Sequence, residues 1–120
     1  IDDKLTFDAG IRPDAMYSEE KWMRLNPEGF KYAGSTFELP EELLSREYDE
    51  WFVDLYSKTF PREDRARIME YAMIGMDAMF VAAPYRQEKL KYLNDCIRDA
   101  FDTTGWPERT VAEETLEKSY

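Results

Sequence analysis

Three carboxylates lie close together in the stretch FPREDRARIMEYAM, residues 60–73, and could take part in chemistry: Glu63, Asp64 and Glu70. Pro61 suits the first position of a helix, so Glu63 and Asp64 would lie in the first turn, where the helix dipole favours negative charge. Glu63 and Glu70 are about two turns apart and share a helix face. The stretch predicts either a solvated helix start or one wall of a metal site.

The solvated interpretation predicts two ion pairs on the helix surface, Glu63 with Arg67 and Arg67 with Glu70, each contributing a few tenths of a kcal/mol. A third interpretation is a magnesium or calcium site formed by Glu63, Asp64 and Glu70. Adjacent helical residues point roughly 100° apart, so Glu63 and Asp64 would chelate one ion poorly, and this interpretation is the weakest.

The sequence contains no histidine and a single cysteine, Cys96. Without histidine, this chain alone cannot form a Ser-His-Asp site, a Cys-His site or an ordinary zinc site of His and Cys ligands. One cysteine cannot form an internal disulfide. Cys96 lies among apolar positions of a predicted helix, which favours a packed, inert thiol over a reactive one.

Length and charge restrict the class of protein. A chain of 120 residues with 43% hydrophobic residues can form one domain with a real core. The formal net charge of −10 argues against nucleic acid and anionic membranes as partners. No run of about 18 apolar residues is present to span a membrane. The start, IDDKLTFDAG, is not a signal peptide and has no initiator Met, so we expect either a fragment of a longer chain or a processed N-terminus.

The N-terminal third is predicted to be irregular and aromatic. Residues 1–13, punctuated by glycine and proline, suggest an extended lead-in or short strand, and Ser18 is predicted to cap a short helix that ends before Pro27. Four apolar residues then alternate in pairs, as in a half-buried strand or ordered loop: Phe30, Tyr32, Phe37 and Leu39. They could pin a loop onto the core or form a recognition surface. Residues 40–59 are ambiguous, with helix expected first and an irregular segment after it.

The remaining chain predicts helices. After Pro61, one apolar stripe is formed by Ala66, Met69, Ala72 or Met73, Met76 and Phe80. After Pro84, a second is formed by Leu90, Leu93, Ile97 and Phe101, closed by Gly105. Residues 107–120 have Thr110 and Glu113 at capping-box spacing but few apolar residues, which predicts a marginal helical tail. The expected fold is mainly α: one domain over residues 1–120, three to four helices, and an N-terminal third that could include a short β-hairpin.

Two stretches together resemble a known family. EEKWMRLNPEGFKYAGST, residues 19–36, and DLYSKTFPREDRARIMEYAM, residues 54–73, are similar to the downstream half of bacterial zinc metallopeptidases of the HExxH, gluzincin-like kind. In that family an HExxH helix comes first, and a glutamate early in a later helix completes the zinc site. The resemblance covers roughly residues 17–73. The HExxH helix itself is absent from this sequence.

The resemblance implies that Glu63 is the third zinc ligand and that Asp64 could orient a histidine ligand. Tyr56 and Glu70 are weaker candidates for the wall of the site. It also implies a C-terminal lobe that is inactive alone, holds no zinc alone, and meets a peptide or protein substrate through the missing N-terminal lobe. Such peptidases are often exported or attached to the cell envelope, which is an expectation for the whole protein only.

A non-enzymatic alternative remains open at this stage. In it, the chain is an acidic helical module that binds a protein partner through aromatic and Met-rich residues. The two hypotheses make different structural predictions. A peptidase lobe should have Glu63 on a concave side near an exposed apolar surface, whereas a module should bury Trp22, Tyr32 and Trp51 in its own core and leave Glu63 solvated.

Overall fold

The computed structural model describes residues 1–35 and 46–120, and the described part is mainly α-helical. Its α-helices are α1 (Asp2–Ile11), α2 (Glu19–Arg24), α3 (Pro61–Met73), α4 (Pro84–Ala100) and α5 (Val111–Ser119). Three short 3-10 helices lie at Arg46–Tyr48, Tyr56–Lys58 and Asp77–Met79. The predicted fold class is confirmed. No strand occurs in the described ranges, and the predictions for Phe37, Leu39 and residues 40–45 lie outside them.

Four helices begin where local chemistry predicts. The Ser18 hydroxyl accepts a hydrogen bond from the Lys21 backbone N–H at 3.1 Å and caps α2. Pro61 and Pro84 each occupy the first turn of their helix, where a missing N–H leaves no internal hydrogen bond unmade. A complete capping box between Thr110 and Glu113 starts α5.

The segment predicted to be extended, residues 1–13, is instead largely the helix α1. Only Leu5 of this helix is fully buried, so its apolar pattern is weak. Contacts distant in sequence hold it: Asp2 pairs with Arg65 of α3, and Arg12 pairs with Asp99 of α4 at 2.5 Å. Because these partners lie on other helices, the local sequence does not reveal the helix.

The helix after Pro61 ends earlier than its predicted stripe. It stops at Met73, and Gly75 follows in the left-handed region at φ +78°, a conformation that ends helices and favours glycine. Met76 and Phe80 therefore lie beyond α3, and the predicted continuous face is wrong there. Gly105 also differs from expectation, because it lies in a turn several residues after the end of α4 at Ala100.

One main core lies between α1, α3, α4 and α5. Its largest fully buried apolar side chains are Leu5, Trp22, Ile68, Phe80, Leu90 and Leu93. The terminal helix α5 belongs to this core, because Ala112 and Leu116 are buried and the Thr115 hydroxyl donates to the Ala72 carbonyl at 2.8 Å. A smaller aromatic cluster is built on buried Phe30 and Phe52, and Tyr32 packs against it.

Candidate functional site

Glu63 lies in the first turn of α3 and lines a groove of about 630 Å³ beside the N-terminal end of α1. Apolar side chains of Leu5, Met69 and Leu93 also line this groove. Within residues 1–35 and 46–120, Glu63 is half-buried and has no side-chain hydrogen bond or ion pair. The Glu63 carboxylate is therefore available at a concave surface.

The predicted surface ion pairs form only in part. Arg67 pairs with Glu70 at 3.1 Å, as predicted, but its second partner is Asp54 at 3.3 Å and not Glu63. The Arg67 guanidinium also lies 5.1 Å from the centre of the Tyr56 ring. Arg67 is thus drawn toward the 3-10 helix before α3, which leaves Glu63 without this partner.

The structure brings Glu63 and Glu70 to the same groove, as their spacing predicts. Tyr56 is exposed beside Arg67 and does not line this groove. Asp64 also lies away from it, because its side chain is fully buried inside the domain. Of the four site residues predicted from the sequence, Glu63 and Glu70 therefore line the groove, and the other two do not. Whether Glu63 binds zinc stays a prediction.

Asp64 is the centre of a buried polar network. Its Oδ2 accepts hydrogen bonds from the Lys89 ammonium at 2.8 Å and from the Tyr32 hydroxyl at 2.7 Å. The Tyr32 oxygen in turn accepts from Trp22 Nε1 at 3.0 Å and from Asn26 Nδ2 at 2.9 Å. Among the described residues, the Asp64 carboxylate therefore accepts hydrogen bonds from Lys89 and Tyr32. A role for Asp64 in orienting a histidine ligand stays a prediction.

Burial controls the electrostatics of this network. The loss of solvent raises the pKa of Asp64, and the neighbouring Lys89 ammonium opposes that shift. The same loss of solvent lowers the pKa of Lys89, opposed by Asp64. Burial also raises the pKa of Tyr32, which keeps its hydroxyl protonated and able to donate. Each charge is thus tolerated only because the other is present.

The two stretches that resemble the metallopeptidase family contact one another. Besides the hydrogen bond from Tyr32 to Asp64, the backbone N–H groups of Ala33 and Gly34 donate to the carbonyls of Lys58 and Thr59 at 3.0 and 2.8 Å. The segment after α2 is thereby attached to the segment that leads into α3. Residues 32–34 are thus hydrogen-bonded both to α3 itself and to the segment just before it.

The aromatic residues named by the competing hypotheses pack within the domain. Trp22 is fully buried, and the Tyr32 hydroxyl lies inside the polar network. Trp51 is half-buried and stacks on Tyr85 with ring centroids 4.1 Å apart. Trp22 is thus buried as predicted for a self-contained module, whereas Tyr32 and Trp51 are only half-buried, and the module function stays a prediction.

Exposed apolar residues nevertheless flank the groove of Glu63. We call Ile1, Met73, Ile74 and Val111 the apolar surface; each is about half or more exposed. Ile1 and Met73 line both this groove and a neighbouring one of about 530 Å³, which Val111 and Trp106 also line. Glu63 therefore lies near an exposed apolar surface, as the peptidase hypothesis predicts.

Cys96 is completely buried, and burial raises the pKa of its thiol to about 11. The prediction of a packed cysteine is confirmed. A thiol that stays protonated at neutral pH and lies out of solvent is a poor nucleophile. It does not contribute to the groove of Glu63.

Two further observations concern the described residues. Over residues 1–35 and 46–120, no group of three or more His, Cys, Asp or Glu side chains is arranged to hold a metal ion. In the same ranges, each helix is too short or too polar to cross a membrane.

Comparisons with models of known protein families, with curated proteins and with solved structures give no match to this chain.

Lys89 is a member of the buried network that the sequence pattern did not identify. It lies on α4 one turn before Leu93, so it shares the buried face of that helix. A lysine in such a position is a usable signal, because a buried ammonium requires an acidic partner. The sequence does not say which of the 26 acidic residues is that partner.

Proposed function

We propose that this chain is the helical C-terminal lobe of a zinc-dependent peptidase, in which Glu63 is the third zinc ligand. The observation that carries the proposal is the Glu63 carboxylate, which lines a groove of apolar and charged residues and has no hydrogen-bond or ion-pair partner among the described residues. A carboxylate of this kind is ready to bind a cation without first breaking an ion pair. On the proposal, the HExxH helix of the whole protein lies against this groove.

The packing of the two motif-bearing stretches supports the proposal. In the family that they resemble, both stretches follow the HExxH helix, and a glutamate of the second stretch completes the zinc site. Here they are joined by the hydrogen bond from Tyr32 to Asp64 and by backbone hydrogen bonds from Ala33 and Gly34. These contacts keep the two stretches together next to the helical turn that carries Glu63.

The zinc site is incomplete in the described residues. A catalytic zinc ion takes three protein ligands and one water. The sequence has no His, and residues 1–35 and 46–120 hold no ready group of three metal ligands. This chain would supply one carboxylate and part of the substrate cleft, and we assign no step of peptide hydrolysis to its own residues.

The proposal is tested by the zinc content of the full-length gene product, compared between the parent, Glu63→Gln and Glu114→Gln. Glu114 is a matched control, because it is an exposed glutamate in the first turn of another helix, α5. We expect about one equivalent of zinc in the parent and in Glu114→Gln, and a loss of at least tenfold in zinc affinity in Glu63→Gln. Equal zinc binding by both variants, or no zinc in the parent, would overturn the proposal.

The second candidate is an acidic, non-enzymatic helical module that binds a protein partner. The observation that favours it is the burial of Trp22 and of the Tyr32 hydroxyl within the chain's own core. A module of this kind would use the apolar surface as its binding face. It requires no metal, so a zinc-free full-length protein that unfolds cooperatively would make it the better explanation.

A further inference from the structure

The buried network connects four separate parts of the chain. Asp64 comes from α3, Lys89 from α4 and Trp22 from α2, while Tyr32 lies in the segment after α2. The side chains of Asp64 and Lys89 are both fully buried. The network therefore lies inside the domain, directly behind the turn of α3 that carries Glu63.

Within residues 1–35 and 46–120, Lys89 has one acidic partner, Asp64. Apart from Asp64, its ammonium faces aromatic rings, with the Phe52 ring centre at 3.9 Å and the Trp22 ring centre at 5.4 Å. The faces of these aromatic rings attract a cation, but unlike a carboxylate they carry no net negative charge to neutralise it. A shift of α3 by one residue would turn Asp64 away and leave the ammonium buried without its counter-ion.

Glu63 and Asp64 are neighbours in a helical turn, so the direction of one side chain sets the direction of the other. With the Asp64 carboxylate fixed toward Lys89 and Tyr32, the Glu63 side chain is directed to the groove. A buried ion pair often adds little stability compared with apolar residues of similar size, but it can select one arrangement of its elements.

We infer that Tyr32, Asp64 and Lys89 are positioning residues that fix the first turn of α3, and with it Glu63, against the segment after α2. The network has this role whether or not a metal binds. Only the conclusion that the network positions a zinc ligand rests on the proposed function.

Two double variants of the 120-residue chain separate positioning from general stability. Asp64→Leu with Lys89→Met removes both charges and the acceptor for Tyr32. Asp64→Asn with Lys89→Met also removes both charges, but the asparagine oxygen can still accept the Tyr32 hydrogen bond. The asparagine variant is therefore the matched control for the leucine variant.

The measurement is native-state hydrogen exchange, resolved by residue. In the leucine variant we expect at least tenfold faster exchange than in the asparagine variant at the amides of residues 64–66 and of Ala33 and Gly34. Amides of residues 114–118 in α5 should exchange equally in the two variants. Equal exchange at residues 64–66, or a uniform acceleration throughout the chain, would overturn the inference.

If the leucine variant does not fold, Tyr32→Phe replaces it, with the parent chain as its control. This change removes the hydroxyl that donates to Asp64 and that accepts from Trp22 and Asn26. Selectively faster exchange at residues 64–66 supports positioning, and unchanged or uniformly faster exchange refutes it. Because these measurements need no metal, they remain decisive even if the full-length protein proves free of zinc.

Discussion

Lys89→Met should destabilise this domain far more than the loss of an ordinary surface charge. Both partners of the Asp64–Lys89 pair are fully buried, at 2.8 Å from each other. Removing the ammonium leaves the carboxylate without a counter-ion, which costs about 3–5 kcal/mol in comparable buried pairs. A domain of this length has a total stability of roughly 6–18 kcal/mol, so the loss is a large fraction of it.

The pH dependence of Lys89→Met follows from the direction of the Asp64 shift. Burial raises the pKa of Asp64 in the folded chain, and loss of Lys89 removes the main opposing influence. A group whose pKa is raised on folding stabilises the fold at low pH and loses that contribution as pH rises. The deficit of the variant should therefore shrink as pH falls from 7 toward about 4, by up to about 1.4 kcal/mol per pH unit.

Urea unfolding followed by tryptophan fluorescence at pH 7 and pH 5 measures both effects. The control is Lys91→Met, which breaks an exposed pair with Asp95 on the same helix and should cost at most about 1 kcal/mol. Asp64→Leu combined with Lys89→Met should recover most of the loss, because no charge remains buried. A Lys89→Met variant as stable as Lys91→Met at pH 7 would refute the reasoning.

Three other predictions concern α4 and α5. Glu113→Gln should lower the free energy of unfolding by about 1 kcal/mol at pH 7, because a hydrogen bond from Arg98 holds the pKa of Glu113 at about 2. A pKa lowered on folding stabilises the fold above the usual value of 4.5, so urea titrations should show the difference vanish as pH falls to about 2. Thr110→Ala removes the cap of α5 and should cost about 1 kcal/mol in the same assay. Cys96 should react with a thiol reagent only when the chain unfolds, because its side chain is buried.

The Glu113 and Thr110 variants each have a matched control, and all three predictions have a contrary outcome. Glu114→Gln, on the exposed side of α5, is the matched control and should change stability by less than about 0.5 kcal/mol at pH 7. Thr6→Ala removes an exposed hydroxyl and should change stability by less than about 0.5 kcal/mol. A Glu113 effect that persists at pH 2, a Thr110 effect no larger than that of Thr6, or a rapid reaction of Cys96 in the native chain would contradict the account.

Local signals in the sequence predicted several features of the fold. Ser18, Pro61, Pro84 and the Thr110 capping box mark helix starts, because capping depends on residues within one turn. The helix α1 was not predicted, since Asp2 and Arg12 are held by partners on α3 and α4. Contacts between distant segments leave no trace in a local pattern.

The candidate site was likewise predicted in part. The spacing of Glu63 and Glu70 placed them on one face, and both line the groove. The same spacing could not show that Asp64 turns inward to Lys89, which is 25 residues away in the chain. Helical periodicity gives relative directions around a helix, while the fold decides which direction is the interior.

The central claim is that Glu63 is a zinc ligand, and a crystal structure of the full-length protein with anomalous scattering at the zinc edge tests it most directly. The account predicts a zinc peak with a carboxylate oxygen of Glu63 at about 2.0–2.2 Å from the metal. A structure with no zinc peak near α3, or with zinc bound by ligands that exclude Glu63, would contradict it.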